Sequence, residues 1–125
     1  FLIKKEWFIF PFNLFFKSIG GIPVERSKNN SMTGFLAAEF EKHNKLHLAI
    51  TPEGTRKPVK EWKKGFYFIA VKANVPILLI GLDYSKKEAS LLDLFYPSGN
   101  YKTDIVKIKS YYKDIKGKHP ENFIL

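Results

Sequence analysis

Cysteine is absent from this chain of 125 residues. A disulfide framework, a thiol nucleophile and a cysteine-ligated metal site are therefore excluded. Only three histidines occur, and their spacing does not suit a zinc site, so the sequence predicts no metal centre. Long apolar runs are also lacking. The longest uncharged run near the start, residues 7–16, has ten residues, whereas a membrane-spanning helix needs roughly 20.

Arginine is scarce in a strongly basic chain. Of 21 lysines and arginines only Arg26 and Arg56 are arginines, and the formal net charge is +9. That charge predicts attraction to anions, which include phosphorylated substrates, anionic lipid headgroups and nucleic acid. Because lysine supplies the bulk charge, an arginine at each of two predicted strand ends suggests sites where the planar guanidinium fork matters. The alternative is that both arginines are purely structural.

Apolar residues make up 45% of the sequence and twelve residues are phenylalanine, which is ample for the core of a single domain spanning residues 1–125. Apolar strands alternate with amphipathic helices, and this alternation predicts an α/β fold with a largely parallel mixed sheet flanked by helices. The predicted strands are residues 1–4, 22–24, 46–50, 76–82 and 91–96. The run 76–82 is predicted to be covered on both faces. Helices are predicted from about residue 11 to 19, from 32 to about 42, from 65 to 73, and over a last segment that Gly117 ends.

Residues 7–16 are unusually aromatic, since seven of the ten are Trp, Phe or Leu. Pro11 suits the first turn of a helix that ends near Ile19. Two interpretations remain open. The segment either packs deep in the core beside the sheet, or forms an apolar wall that meets lipid tails or lies in the membrane interface.

The predicted strand 46–50 leads into residues 51–56, which read Thr-Pro-Glu-Gly-Thr-Arg. Gly54 lets a ligand approach the backbone closely, and Thr55 adds a hydroxyl. Arg56 adds a permanent charge that can bind a phosphate through two hydrogen bonds. Glu53 is not a phosphate ligand at neutral pH, and its predicted role is to orient Arg56, a lysine or a substrate hydroxyl. An ordinary turn with solvated charges is the alternative.

Three blocks of this sequence together resemble a known family. Residues 21–26 read Gly-Ile-Pro-Val-Glu-Arg, residues 52–56 read Pro-Glu-Gly-Thr-Arg, and residues 75–77 read Val-Pro-Ile. In order and spacing they resemble the second, third and fourth blocks of the glycerolipid acyltransferases, including the 1-acylglycerol-3-phosphate acyltransferases. The resemblance covers most of the chain up to about Tyr84. Thr51, Lys57 and Glu25 depart from the usual residues and indicate a divergent subgroup.

The family's first block, a catalytic His five positions before an Asp, has no counterpart here. The residues five positions after the three histidines are Leu48, Pro52 and Ile124. The expectation is therefore an N-terminally truncated, glycerol-phosphate acyltransferase-like domain. It would form the C-terminal part of a longer chain, hold no catalytic residue of its own, and be inactive alone.

The resemblance implies transfer of a fatty acyl group from an acyl thioester to lysophosphatidic acid in phospholipid synthesis. Arg26, Arg56 and Lys4 are expected to clamp the acceptor's phosphate, with Gly54 and Thr55 shaping the turn. No cofactor is expected beyond the co-substrate, which is the thioester of coenzyme A or of acyl carrier protein. The expected location is the cytoplasmic face of a membrane with an anionic surface, where the protein is peripheral or anchored by upstream residues. Nucleic acid is not an expected partner.

One rival from a different class remains, a non-catalytic basic module that binds anionic membranes or nucleic acid. The basic loop 57–64 is either solvated or attracts the phosphates of a carrier or of lipid headgroups. Aromatic residues concentrated in one apolar run argue against nucleic acid, because stacking platforms alternate aromatic with basic residues.

Overall fold

The computed structural model describes residues 2–24, 32–55 and 59–122. Of Leu2, Ile3, Lys4, Val24 and Asn122 it describes the backbone only. In chain order the helices and strands are β1 (Leu2–Lys4), α1 (Phe12–Ser18), β2 (Ile22–Val24), α2 (Met32–Lys42), α3 (Gly65–Ala73), β3 (Ile77–Asp83), β4 (Glu88–Phe95) and α4 (Tyr101–Ser110). Two short 3-10 helices, Lys5–Trp7 and Pro120–Asn122, complete them. The mixed α/β class predicted from the sequence is confirmed.

The hydrophobic core is built where α3 and α4 meet the strands β3 and β4. Its buried residues are Trp62, Tyr67, Leu79 and Ile108. Partly buried side chains surround them, contributed mainly by the same four elements: Phe66, Ile77, Leu92, Phe95, Tyr101, Ile105 and Tyr112. Helix α2 packs against α3 and adds the buried residues Leu36 and Ala37. The second half of the described chain therefore forms the structural base on which the loop before α3 is held.

The strand pairing differs from the predicted sheet. Strands β3 and β4 form an antiparallel hairpin, and β1 pairs with β2 in parallel as a separate two-stranded sheet. A largely parallel sheet is thus not found in the described residues. The hairpin is favoured over the predicted parallel arrangement because β3 and β4 are joined by only four residues, so little loop-closure entropy is lost. Asp83 stabilises its turn by accepting hydrogen bonds from the backbone N–H of Ser85 at 2.9 Å and of Lys86 at 3.2 Å.

Strand β3 is buried on one face only, which corrects the prediction that both faces are covered. Leu79, Gly81 and Asp83 point inward, whereas Leu78, Ile80 and Leu82 are each about half exposed. Their cross-strand partners on β4 share this outer face: Leu94, Leu91 and Ala89. We call these six residues the outer sheet face. The continuous apolar run reflects an apolar outer face rather than burial on both sides.

Most helix boundaries agree with the sequence. Helix α3 begins at Gly65 and ends at Ala73, because Asn74 adopts a left-handed conformation with φ of 51°. Helix α4 is shorter than predicted, since it ends at Ser110 and a turn follows over residues 111–114. Residues 46–50 were predicted as a strand, but they form no strand pairing with the described residues. That prediction was wrong, since among the described residues β3 pairs with β4 alone.

Helix α2, with 11 residues, is the longest described helix. None of the helices within residues 2–24, 32–55 and 59–122 combines the length and apolar character needed to cross a bilayer.

Candidate functional site

The turn at residues 51–55 is held by backbone hydrogen bonds. The N–H of Gly54 donates to the carbonyl of Thr51 at 3.1 Å, and the N–H of Lys63 donates to the carbonyl of Pro52 at 2.8 Å. Gly54 has φ of +63°, in the left-handed region that glycine occupies at little cost. The second hydrogen bond connects the turn to the residues just before α3. The turn predicted from the Pro-Glu-Gly-Thr sequence is therefore present and fixed at both ends.

The side chain of Lys63 lies against Gly54. A Cβ placed on Gly54 would be 2.9 Å from both Cδ and Cε of Lys63 and 3.0 Å from its Nζ. Only a residue without a side chain leaves room for the lysine to lie across the turn. The ammonium group consequently sits at the backbone of the turn, where it adds a positive charge. Lys63 was not singled out from the sequence, although the basic loop 57–64 containing it was considered as an anion-attracting segment.

A cavity of about 250 Å³ lies beside this turn. Three turn residues line one side of it: Thr51, Pro52 and Glu53. The remaining lining is mostly apolar and comes from the preceding segment, from β3 and from the helices: Ile50, Trp62, Phe66, Ile77, Leu78, Leu79, Ile80, Ile108 and Tyr112. The site thus combines a polar turn carrying a lysine with an adjoining apolar cavity, which suits a molecule with a charged end and an apolar body.

Trp62 forms part of the cavity wall and is 6% exposed. Its indole nitrogen is buried and has no hydrogen-bond partner among the described residues. The ring packs edge-on against Tyr112, with 5.6 Å between the ring centroids, and the ammonium of Lys109 lies 5.5 Å from the indole centroid. Burial raises the pKa of the Tyr112 phenol. Trp62 and Tyr112 therefore form an aromatic part of the cavity wall.

A buried polar cluster joins α3 to α4 behind the site. The Tyr67 hydroxyl donates to Oδ2 of Asp104 at 2.7 Å, and the Ser98 N–H donates to the same oxygen at 2.6 Å. Tyr67 and Asp104 are almost completely buried. Burial opposes ionisation of Asp104, but the donors of Ser98 and Tyr67 outweigh it and hold the pKa of the carboxyl below its ordinary value. Burial, followed by the bond to Asp104, raises the pKa of Tyr67. This cluster was not predicted from the sequence, because Tyr67 and Asp104 lie 37 positions apart.

The structure describes some of the predicted site residues and not others. Glu53, Gly54 and Thr55 lie together in the turn, as expected from their adjacency. Arg26 and Arg56 lie outside the described residues. The backbone of Lys4 is in β1 opposite Val24 of β2, the strand that leads toward Arg26. Glu53 was predicted to orient Arg56, a lysine or a substrate hydroxyl. No lysine of the described ranges lies within ion-pair distance of it, and the other two alternatives stay predictions.

The described part of the chain contains no group of three His, Asp or Glu side chains that could hold a metal ion.

Comparison with protein families gives one match. The model of the family described as Acyltransferase matches residues 1–82, about two thirds of the chain. This range includes the turn, Lys63 and most of β3. No curated protein and no solved structure matches the chain.

Proposed function

This chain belongs to the Acyltransferase family, and from that membership we propose that it binds 1-acylglycerol-3-phosphate as the acceptor of an acyl group carried by a thioester. The observation that carries the proposal is the position of the lysine-bearing turn beside an apolar cavity. A lysophosphatidic acid has a phosphate at one end and an acyl chain at the other. The two halves of the site match these two ends in chemistry.

The phosphate end is assigned to the turn. Lys63 supplies an ammonium at the backbone of Gly54, and Arg56 follows the turn directly in the sequence. Ammonium and guanidinium groups both form charge-assisted hydrogen bonds to phosphate oxygens. Glu53 lines the neighbouring cavity and carries the opposite charge. We therefore assign the phosphate to the Lys63 side of the turn and an acceptor hydroxyl to the Glu53 side.

The acyl end is assigned to the cavity. Its lining is mostly apolar, so displacement of water from it by an acyl chain is favourable. The indole N–H of Trp62 is the one buried side-chain donor among the described lining residues that lacks a partner, and an ester or thioester carbonyl would satisfy it. Holding the acceptor at both ends restricts its free hydroxyl, which is how positioning accelerates an acyl transfer.

The proposal is tested by binding rather than by turnover, because no histidine in the sequence lies five positions before an aspartate. Affinities are measured by calorimetry for lysophosphatidic acid, for a monoacylglycerol with the same acyl chain, and for glycerol 3-phosphate. Lysophosphatidic acid is expected to bind most tightly, since only it occupies both halves of the site. The variant Lys63→Ala is expected to lower that affinity about fivefold and to leave monoacylglycerol binding unchanged.

Lys72→Ala provides the matched control, because it removes the same charge from the exposed last turn of α3. Its affinity for lysophosphatidic acid is expected to equal that of the unaltered chain. Equal affinities for lysophosphatidic acid and monoacylglycerol, or equal losses in the two lysine variants, would contradict a phosphate site at the turn.

A further inference from the structure

Residues 7–19 present an apolar surface that the fold does not cover. Trp7, Ile9, Phe10, Phe12, Phe15 and Ile19 are between 46% and 79% exposed. We call these six residues the N-terminal apolar surface. Neither α1 nor the preceding 3-10 helix contains a buried residue. The segment therefore contributes little to the core, contrary to the interpretation that packs it beside the sheet.

Most apolar residues of α1 and its C-cap lie on one helical stripe. Phe12, Phe15, Phe16 and Ile19 are spaced i, i+3, i+4 and i+7, the pattern by which a surface helix usually faces its core. Here Phe12 is 57% exposed and Phe15 is 60% exposed. Asn13 and Lys17 occupy the other side of the helix. Helix α1 thus exposes apolar side chains on the Phe12–Phe15 side and also at Leu14, which is 61% exposed, and Trp7 and Phe10 before it are exposed as well.

We propose that the N-terminal apolar surface inserts into the interfacial region of an anionic lipid bilayer. Three of its side chains are phenylalanine and one is tryptophan, and exposed lysines at positions 5 and 17 flank it. Aromatic residues on one face with lysines beside them characterise helices that lie in the interface plane, buried by about 5–10 Å. The net charge of +9 favours anionic lipid. The same charge opposes a second copy of the chain on this surface, because two such chains repel each other.

The proposal extends the proposed function by naming the surface that meets the membrane in which the acceptor lipid lies. It is tested without donor or acceptor, so its outcome is separate from that of the acceptor-binding experiment. The chain is mixed with phosphatidylcholine vesicles, with and without phosphatidylserine, and the bound fraction is measured by sedimentation. Binding is expected to be stronger to the vesicles that contain phosphatidylserine.

Tryptophan fluorescence identifies the inserted surface. The chain has two tryptophans, Trp7 at 63% exposure and the buried Trp62. Emission is expected to shift to shorter wavelength when vesicles are added. The variant Trp7→Phe keeps an apolar aromatic side chain, so it is expected to bind vesicles within about twofold of the unaltered chain while losing the shift.

Side-chain variants measure the apolar and the electrostatic contributions to vesicle binding separately. Phe12→Ser combined with Phe15→Ser is expected to weaken vesicle binding about twentyfold or more, because two largely exposed phenylalanines no longer enter the interface. Lys17→Gln is expected to weaken binding about fivefold to anionic vesicles and not to neutral ones. Leu91→Ser is the matched control, since Leu91 is 73% exposed on the outer sheet face. It is expected to bind as the unaltered chain does.

Three results would overturn the proposal. The first is a fluorescence shift that persists in Trp7→Phe, because Trp62 would then report a different surface. The second is a loss in Leu91→Ser as large as the loss in the double phenylalanine variant. The third is a chain that does not bind vesicles but forms dimers in analytical ultracentrifugation, where the double phenylalanine variant forms none. A second copy of the chain would then cover the N-terminal apolar surface.

Discussion

Replacement of Gly54 by alanine tests the geometry of the turn and its relation to Lys63. The backbone at position 54 has φ of +63°, and an L-residue pays about 1–2 kcal/mol in this left-handed region. The new Cβ would lie 2.9 Å from Cδ and Cε of Lys63, which is too close, so the lysine must move. Because the side chain of Lys63 is exposed and its outer atoms are free to rotate, this movement adds little to the cost.

The free energy of unfolding is therefore expected to fall by about 1–2 kcal/mol in Gly54→Ala, most of it from the backbone. In urea denaturation this corresponds to a midpoint lower by roughly 0.5–1 M. The affinity for lysophosphatidic acid is expected to fall about fivefold as well, since the ammonium of Lys63 has left the turn. In a chain that already carries Lys63→Ala, the glycine substitution is expected to leave this affinity unchanged.

Alanine substitutions at two other glycines separate the cost of the left-handed backbone from the effect of displacing Lys63. Gly20 has φ of +76° with no atom within 4 Å of an added Cβ, so Gly20→Ala is expected to reproduce the stability loss without the affinity loss. Gly65 has neither a positive φ nor a close neighbour, and Gly65→Ala is expected to leave the affinity unchanged without lowering the free energy of unfolding. An unfolding free energy of Gly54→Ala within about 0.3 kcal/mol of the unaltered chain would refute the left-handed turn. Unchanged affinity in a destabilised variant would refute the role of Lys63.

The buried cluster of Tyr67 and Asp104 gives two further predictions. Tyr67→Phe removes a donor to a buried carboxylate and is expected to lower the free energy of unfolding by about 1.5–3 kcal/mol in urea denaturation. Tyr96→Phe, at an exposed tyrosine, is the control, and an equal loss there would contradict the assignment. The lowered pKa of Asp104 means that its stabilisation is present above the ordinary carboxyl value of 3.8 and is lost as the pH falls through the folded-state value below it. The acid limb of stability against pH is accordingly expected to be shallower in Asp104→Asn, and an unchanged limb would show that Asp104 does not contribute to it.

Local signals predicted the helices and the turn well. Asn74 ends α3 because asparagine tolerates the left-handed conformation of the cap. The turn at residues 51–55 follows from Pro52 and Gly54, whose backbone preferences act within a few residues. These features depend on chemistry that a short window of sequence contains.

Pairing between distant residues was not predictable in the same way. The apolar run 76–82 has the composition of a strand covered on both faces, yet β3 pairs with β4 and keeps one face open. Lys63 lies against Gly54 because Pro52 accepts a backbone hydrogen bond from it across eleven positions, and nothing in the sequence pattern specifies that contact. The predicted phosphate clamp by Arg26 and Arg56 falls on residues outside the described ranges and stays a prediction.

The hairpin of β3 and β4 has a consequence for the newly made chain. Its inner face is covered by α3 and α4, but its outer sheet face stays apolar, so a hairpin that forms before α4 has been synthesised exposes apolar side chains on both faces. The exposed lysines 86 and 87 occupy the tip that joins the strands. Charges at the ends of an apolar β-segment act as gatekeepers against aggregation. Neutralising these two lysines is therefore expected to reduce the soluble yield of the chain.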